Sequence, residues 1–163
     1  PEPELVDEIE KLVRCDERIL GIHDLAVHDY GPGRLMISLH AEVPYKEDIL
    51  ELHDLIDRIE FSLRRELNCE AVIHMDPIVD DDEVINEAKA EVDRIVKGFE
   101  GNVRFHDFRM VKGTTHSNLI FDIVVPHGYP MSDEEVVEQI KEKVKEFKNN
   151  YYCVIQVDKA MVK

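Results

Sequence analysis

The residues able to do chemistry in this chain are histidines and carboxylates. Five of its eight histidines, His23, His28, His40, His53 and His74, fall in the first half of its 163 residues. In the run VIHMDPI, His74 and Asp76 stand two residues apart, so a strand projects them from one face and Ile73 and Met75 from the other. In RLMISLHAEV, Leu35, Ile37 and Leu39 make an apolar face, which leaves Ser38, His40 and Glu42 on the opposite one. With both runs in one sheet, His40, His74 and Asp76 converge on its open side. Imidazole and carboxylate without thiolate suit zinc and several other borderline divalent cations. A lone strand histidine is more often packed or solvated, so it is the convergence that points to a metal.

Two further histidines read less simply. His53 lies in a helical pattern beside Asp57 and Glu60, off the apolar stripe, where it reaches outward to a second ion or a partner chain, or is only solvated. His23 conflicts with alternation, which puts it on the side of Leu25 and Val27, the core face. It can serve as a ligand only from the preceding loop or through a β-bulge. His28 falls on the polar face by the same alternation and competes with it.

The elements that must position these residues occur twice. Residues 4–15 carry Leu5, Ile9, Leu12 and Val13 at helical spacing. Strand-like runs at 22–30 and 34–43 are joined by Gly31-Pro32-Gly33, a turn signal. A helical pattern from Lys46 to about Leu67 buries Leu52, Ile56, Ile59 and Leu63 on one face, and a strand at 69–77 closes the unit. The same order returns as a helix over 82–96, strands at 103–111 and 118–125, a helix opened by the capping pair Ser132 and Glu135, and a strand at 151–159. His23-Asp24 matches His106-Asp107, Pro44 matches Pro126, and VIHMD at 72–76 matches VIQVD at 154–158. This predicts two tandem αββαβ units of the α+β class, at 1–79 and 80–163, each a small sheet backed by helices, with the DDDE run at 80–83 as the seam.

Composition narrows the partners. A net charge of −16 repels phosphate backbones and anionic membrane surfaces, so no nucleic-acid partner is expected, and it attracts cations. A hydrophobic content of 44% suffices for a core. No tract approaches the roughly 20 apolar residues that span a bilayer, and no secretory pattern opens the chain, so this piece alone reads as soluble. Cys15, Cys69 and Cys153 are too widely spaced for a disulfide framework or a CxxC knuckle, and a reducing compartment fits.

The stretches GIHDLAVHDYGPGRLMISLHAEVP, ILELHDLIDRIEFSLRREL and EAVIHMDPI together resemble the cytosolic C-terminal domain of the cation diffusion facilitator family, over residues 4–78. The resemblance implies a ferredoxin-like, metallochaperone-like fold that forms a homodimer beneath a covalently continuous membrane exporter, at the cytoplasmic face of the membrane. It implies a divalent metal, most often zinc, with manganese, iron or cadmium as alternatives, bound near the dimer interface and regulating transport. By position it assigns His23, His40, His53, His74 and Asp76 as ligands, with Asp76 able to bridge two ions, and it favours His23 over His28. In the second copy His106 and Asp158 match, whereas Asp122 replaces His40 and Gln156 replaces His74. His106, Asp122 and Asp158 therefore make at most a weaker, harder and more oxygen-rich site, and the second copy reads as a degenerate companion.

The functional expectation is a regulatory metal-binding module of an exporter. The alternative is a stand-alone soluble metal buffer or chaperone of the same fold. A metal-dependent hydrolase would need an open coordination position and a base in a pocket. The spacing supplies no such pocket, so the chain does not read as an enzyme. An interaction module with incidental histidines would take up no stoichiometric metal.

Overall fold

The computed structural model describes residues 2–80 and 82–160. They form two compact units, Pro1–Ile78 and Val79–Lys163. The first contains α1 (Pro3–Val13), β1 (Gly21–Asp29), β2 (Leu35–Pro44), α2 (Ile49–Leu67) and β3 (Cys69–Ile78). The second repeats the order as α3 (Asp82–Lys97), β4 (Arg104–Lys112), β5 (Ser117–Pro126), α4 (Asp133–Phe147) and β6 (Tyr151–Ala160). The α+β class and the αββαβ order read from the sequence are those of the structure. Of the DDDE run expected at the seam, Asp81 lies outside the described residues.

In the first unit β2 is the middle strand, antiparallel to β1 and parallel to β3. The β1–β2 hairpin turns on Gly31 and Gly33, whose φ values of 113° and 71° lie where a side chain is disfavoured. The parallel β2–β3 pair needs a crossover, and α2 provides it. Asp48 accepts from the backbone N–H groups of Leu50 and Glu51 and starts α2 at Ile49, three residues later than the apolar spacing suggests. Asn68, left-handed at φ 49°, ends it. The apolar stripe of α2, with Ile9 and Val13 of α1, buries Ile37, Leu39, Ala41, Ala71 and Ile73 on one face of the sheet. Burial on that scale is the main stabilising contribution in each unit. Glu60 accepts from the Ile73 N–H and Arg64 donates to the Ala71 carbonyl, so α2 also satisfies backbone groups of β3.

The second unit uses the same plan around Val92, Phe121, Ile123, Val136, Ile140 and Val144. β5 is antiparallel to β4 and parallel to β6. Ser132 caps α4 by accepting from the Glu135 N–H at 3.1 Å. No helix among the described residues is long and apolar enough to cross a membrane.

Candidate metal centre

The open face of the first sheet collects the chemistry-bearing side chains. On β3, Ile73 and Met75 pack toward the core, so Val72, His74 and Asp76 project the other way. In register, His40 of β2 lies beside His74, and Glu42 beside Asp76.

His23 reaches the same face through a local irregularity of β1. It pairs with His40, and the next pair is Ala26 with Ser38, so Asp24 and Leu25 together oppose Leu39 alone. Asp24 takes the left-handed conformation at φ 53°. This extra residue is a β-bulge, and it overturns simple alternation at His23. Leu25 and Val27 still pack on the core, while His23 turns to the open side. His28 is exposed, pairs with Met36 and stacks on Tyr30 at 6.2 Å, away from the other histidines.

Asp76 is the hub. Its Oδ2 lies 3.0 Å from His23 Nε2 and 2.9 Å from His40 Nδ1, and its Oδ1 lies 3.0 Å from His74 Nε2. The rings follow one another across the strands, with centroids 4.8 Å apart for His23 and His40 and 4.7 Å for His40 and His74. Ligand atoms of His23, His40 and Asp76 all fall within 4.8 Å of one another. His53 is elsewhere, on α2, largely exposed and 3.5 Å from Asp57.

Burial works against charge on His23, but hydrogen bonds to Asp76 and Glu42 outweigh it and hold the ring up at about 9. Burial likewise opposes ionisation of Asp76, and the His23 and His40 contacts reverse this, holding its carboxyl below the usual range. Without a metal the cluster is thus a protonated imidazole against a carboxylate. The same nitrogens and oxygens are donors that divalent cations take. The residues present therefore fit such an ion.

In the second unit His106 pairs with Asp122, and the register slips again before Arg109. Ligand atoms of His106, Asp122 and Asp158 also lie within 4.8 Å of one another. His106 Nε2 is 3.5 Å from Asp158 Oδ2, and its Nδ1 is 3.8 Å from Asp122 Oδ2.

Comparison with known proteins decides the family. The pattern described as "Cation efflux protein, cytoplasmic domain" matches residues 1–78 and again 85–160. The chain belongs to this family. Among relatives of the cation efflux domain, an uncharacterized transporter of Methanocaldococcus jannaschii (MJ0449) is 35% identical over 81 residues, 49% of this chain. The chain spans only 28% of that relative's length. Two solved chains from work on the mode of action of the candidate zinc transporter CzrB are also similar. One is 30% identical, covers 47% of this chain and 96% of its own length, and gives a TM-score of 0.42. The other, a zinc form, is 29% identical over 47% of this chain and 89% of its own, with a TM-score of 0.41.

One participant in this cation efflux domain is not evident from the sequence as a site residue. Glu42 is only 2% exposed, and its Oε2 accepts from His23 Nδ1 at 3.0 Å. Gly21 stands opposite it in register, and a Cβ there would meet Glu42 Oε1 at 2.9 Å. The glycine makes room for the carboxylate, and the carboxylate fixes the ring. The sequence signal is the placement of Glu42 two residues beyond His40, on the same strand face.

Proposed function

We propose that this chain is the cytosolic regulatory part of a divalent-cation exporter, taking up metal on its first copy and using that occupancy to favour a homodimer. The observation that carries the reading is the convergence of His23, His40 and Asp76 on one sheet face, with His74 on the second oxygen of Asp76. The family membership supports the exporter, and the zinc named for CzrB supports zinc as the ion. The transport step belongs to a membrane part that these helices do not supply.

His23, His40, His74 and Asp76 would hold the ion, with His53 available to a second ion or to a partner chain. A bound cation supplies positive charge that offsets these carboxylates. Glu42 keeps the Nδ1 proton of His23, which leaves Nε2 as the ligand atom, a supporting role that carboxylates commonly play behind metal-binding imidazoles. His23 must first give up its Nε2 proton, so uptake is favoured as pH rises toward 9. Each chain carries a formal charge of −16, which opposes association. An ion that binds the dimer better than the monomer shifts the equilibrium by that difference in affinity.

Zinc titration by calorimetry, with light scattering to follow mass, tests this. The parent should bind zinc stoichiometrically and shift toward the dimer. His40→Ala/His74→Ala should bind at least about 100-fold more weakly, the upper end of what groups supporting a metal ligand cost. Parent-like zinc affinity in that double variant would sink the proposal.

A further inference from the structure

The second copy keeps the frame of the first and changes its donors. His106 pairs with Asp122 as His23 pairs with His40, and the same bulge follows, with Asp107 at φ 56° where Asp24 has 53°. On that frame Asp122 stands in the place of His40, Gln156 in that of His74, and Asp158 in that of Asp76. Both replacements exchange a nitrogen donor for an oxygen donor. The set of three imidazoles and a carboxylate becomes one imidazole, two carboxylates and an amide.

Ligand atoms of His106, Asp122 and Asp158 lie within 4.8 Å of one another, close enough to share one ion. His106 Nδ1 lies 3.1 Å from Asp107 Oδ2, so Asp107 can hold that proton while Nε2 faces Asp158. Asp107 thus takes the part that Glu42 plays in the first copy, where Val124 now stands in place of Glu42 and Arg104 in place of Gly21. Asp122 is 18% exposed, and its Oδ2 lies 3.8 Å from His106 Nδ1. Two carboxylates facing one imidazole, partly withdrawn from water, gain most from a cation between them. Side-chain exposures of 45% for His106 and 42% for Asp158 leave space for water ligands, which small hard cations keep.

We infer that the second copy carries its own divalent-cation site, formed by His106, Asp122 and Asp158 with Gln156 alongside, which accepts hard cations of the manganese and magnesium class. Its preference for zinc over manganese is far smaller than that of the imidazole-rich first copy. Oxygen donors underlie the difference, because zinc gains more than manganese from each imidazole. This goes beyond the proposed function, and it stands or falls on His106, Asp122 and Asp158, side chains separate from those of the first-copy site.

The test measures manganese and zinc binding to the full chain, manganese by the paramagnetic resonance signal of the free ion and zinc by calorimetry. His40→Ala/His74→Ala should keep one manganese per chain, and Asp122→Asn/Asp158→Asn should weaken manganese binding at least about 10-fold. The ratio of zinc to manganese affinity should be at least about 10-fold lower in the first variant than in the second, and Asp122→His/Gln156→His should raise it in the second copy. Parent-like manganese binding in Asp122→Asn/Asp158→Asn, or equal ratios in the two variants, overturns the inference. Failure of the first-copy reading has a separate signature, parent-like zinc affinity in His40→Ala/His74→Ala. Circular dichroism on each variant confirms that the fold is kept.

Discussion

The two copies present nearly the same backbone and opposite electrostatics at one aspartate of each cluster. These are Asp76 in the first and, in the second, Asp122, which stands where the first copy has His40. In the first, Asp76 receives contacts from three imidazoles, and its carboxyl is held below the ordinary range despite burial. In the second, Asp122 is partly buried near another carboxylate, and its own is pushed above that range. The bulge, the left-handed aspartate and the strand register are shared. A frame that positions side chains therefore does not by itself decide what they bind. The donors placed on it do.

The largest expected effect sets these two aspartates against each other in the metal-free chain. Asp76→Asn takes from partly buried His23 one of its two carboxylate partners, Glu42 remaining. It should cost about 2 kcal/mol at neutral pH, the range for a hydrogen bond to a charged group. Asp122→Asn removes a carboxylate that folding disfavours in its charged form, and should stabilise by about 0.5 kcal/mol. Urea unfolding in chelator measures both, and equal signs would break the comparison. The pH dependence has a defined direction. His23 is raised from 6.5 to about 9, so its contribution is full below 6.5 and disappears as pH rises through 9. Asp76 is lowered from 3.8, so its contribution is present above that value and is lost as pH falls further. Metal-free stability should decline between pH 6.5 and 9 in the parent and less steeply in Asp76→Asn, where Glu42 still holds the His23 ring.

How much of this was legible in the sequence follows from the regularity of each element. His40, His74 and Asp76 could be placed on one face because alternation is strict in unbroken strands, and β2 and β3 are unbroken through them. Element order could be read because helical and strand periods differ, whereas helix starts moved where a cap such as Asp48 set them. His23 could not be placed by alternation, since its face depends on one left-handed residue. An aspartate tolerates that conformation without announcing it. Glu42 was hidden for another reason. Its burial comes from the absence of a side chain at Gly21, on the neighbouring strand.

That pair supplies the next test. Gly21→Arg/Glu42→Val transplants the second copy's residues into the first and leaves every proposed ligand in place. His23 then loses the acceptor for its Nδ1 proton, and zinc affinity should drop about 10-fold to 100-fold, the range for groups that orient a metal-binding imidazole. Unchanged affinity would mean that Glu42 serves packing only. Glu42→Gln alone should fall between parent and double variant, because an amide oxygen still accepts from the ring.

The smallest effect asks whether the shared frame is under the same strain in both copies. Asp24 and Asp107 hold φ values of 53° and 56°, a region that glycine enters freely and alanine enters at a cost of about 1 kcal/mol. Asp24→Ala and Asp107→Ala should therefore each destabilise by about that amount, and the corresponding glycine variants by only a few tenths. Thermal unfolding distinguishes them. If alanine relieves its strain by removing the bulge in the first copy, His23 rotates toward the core face, and zinc affinity falls in Asp24→Ala but not in Asp24→Gly. Loss of zinc affinity in Asp24→Gly as well would place the importance of Asp24 in its carboxylate. The frame would then no longer be a common one, since the corresponding carboxylate of Asp107 lies against His106, whereas Nδ1 of His23 is held by Glu42.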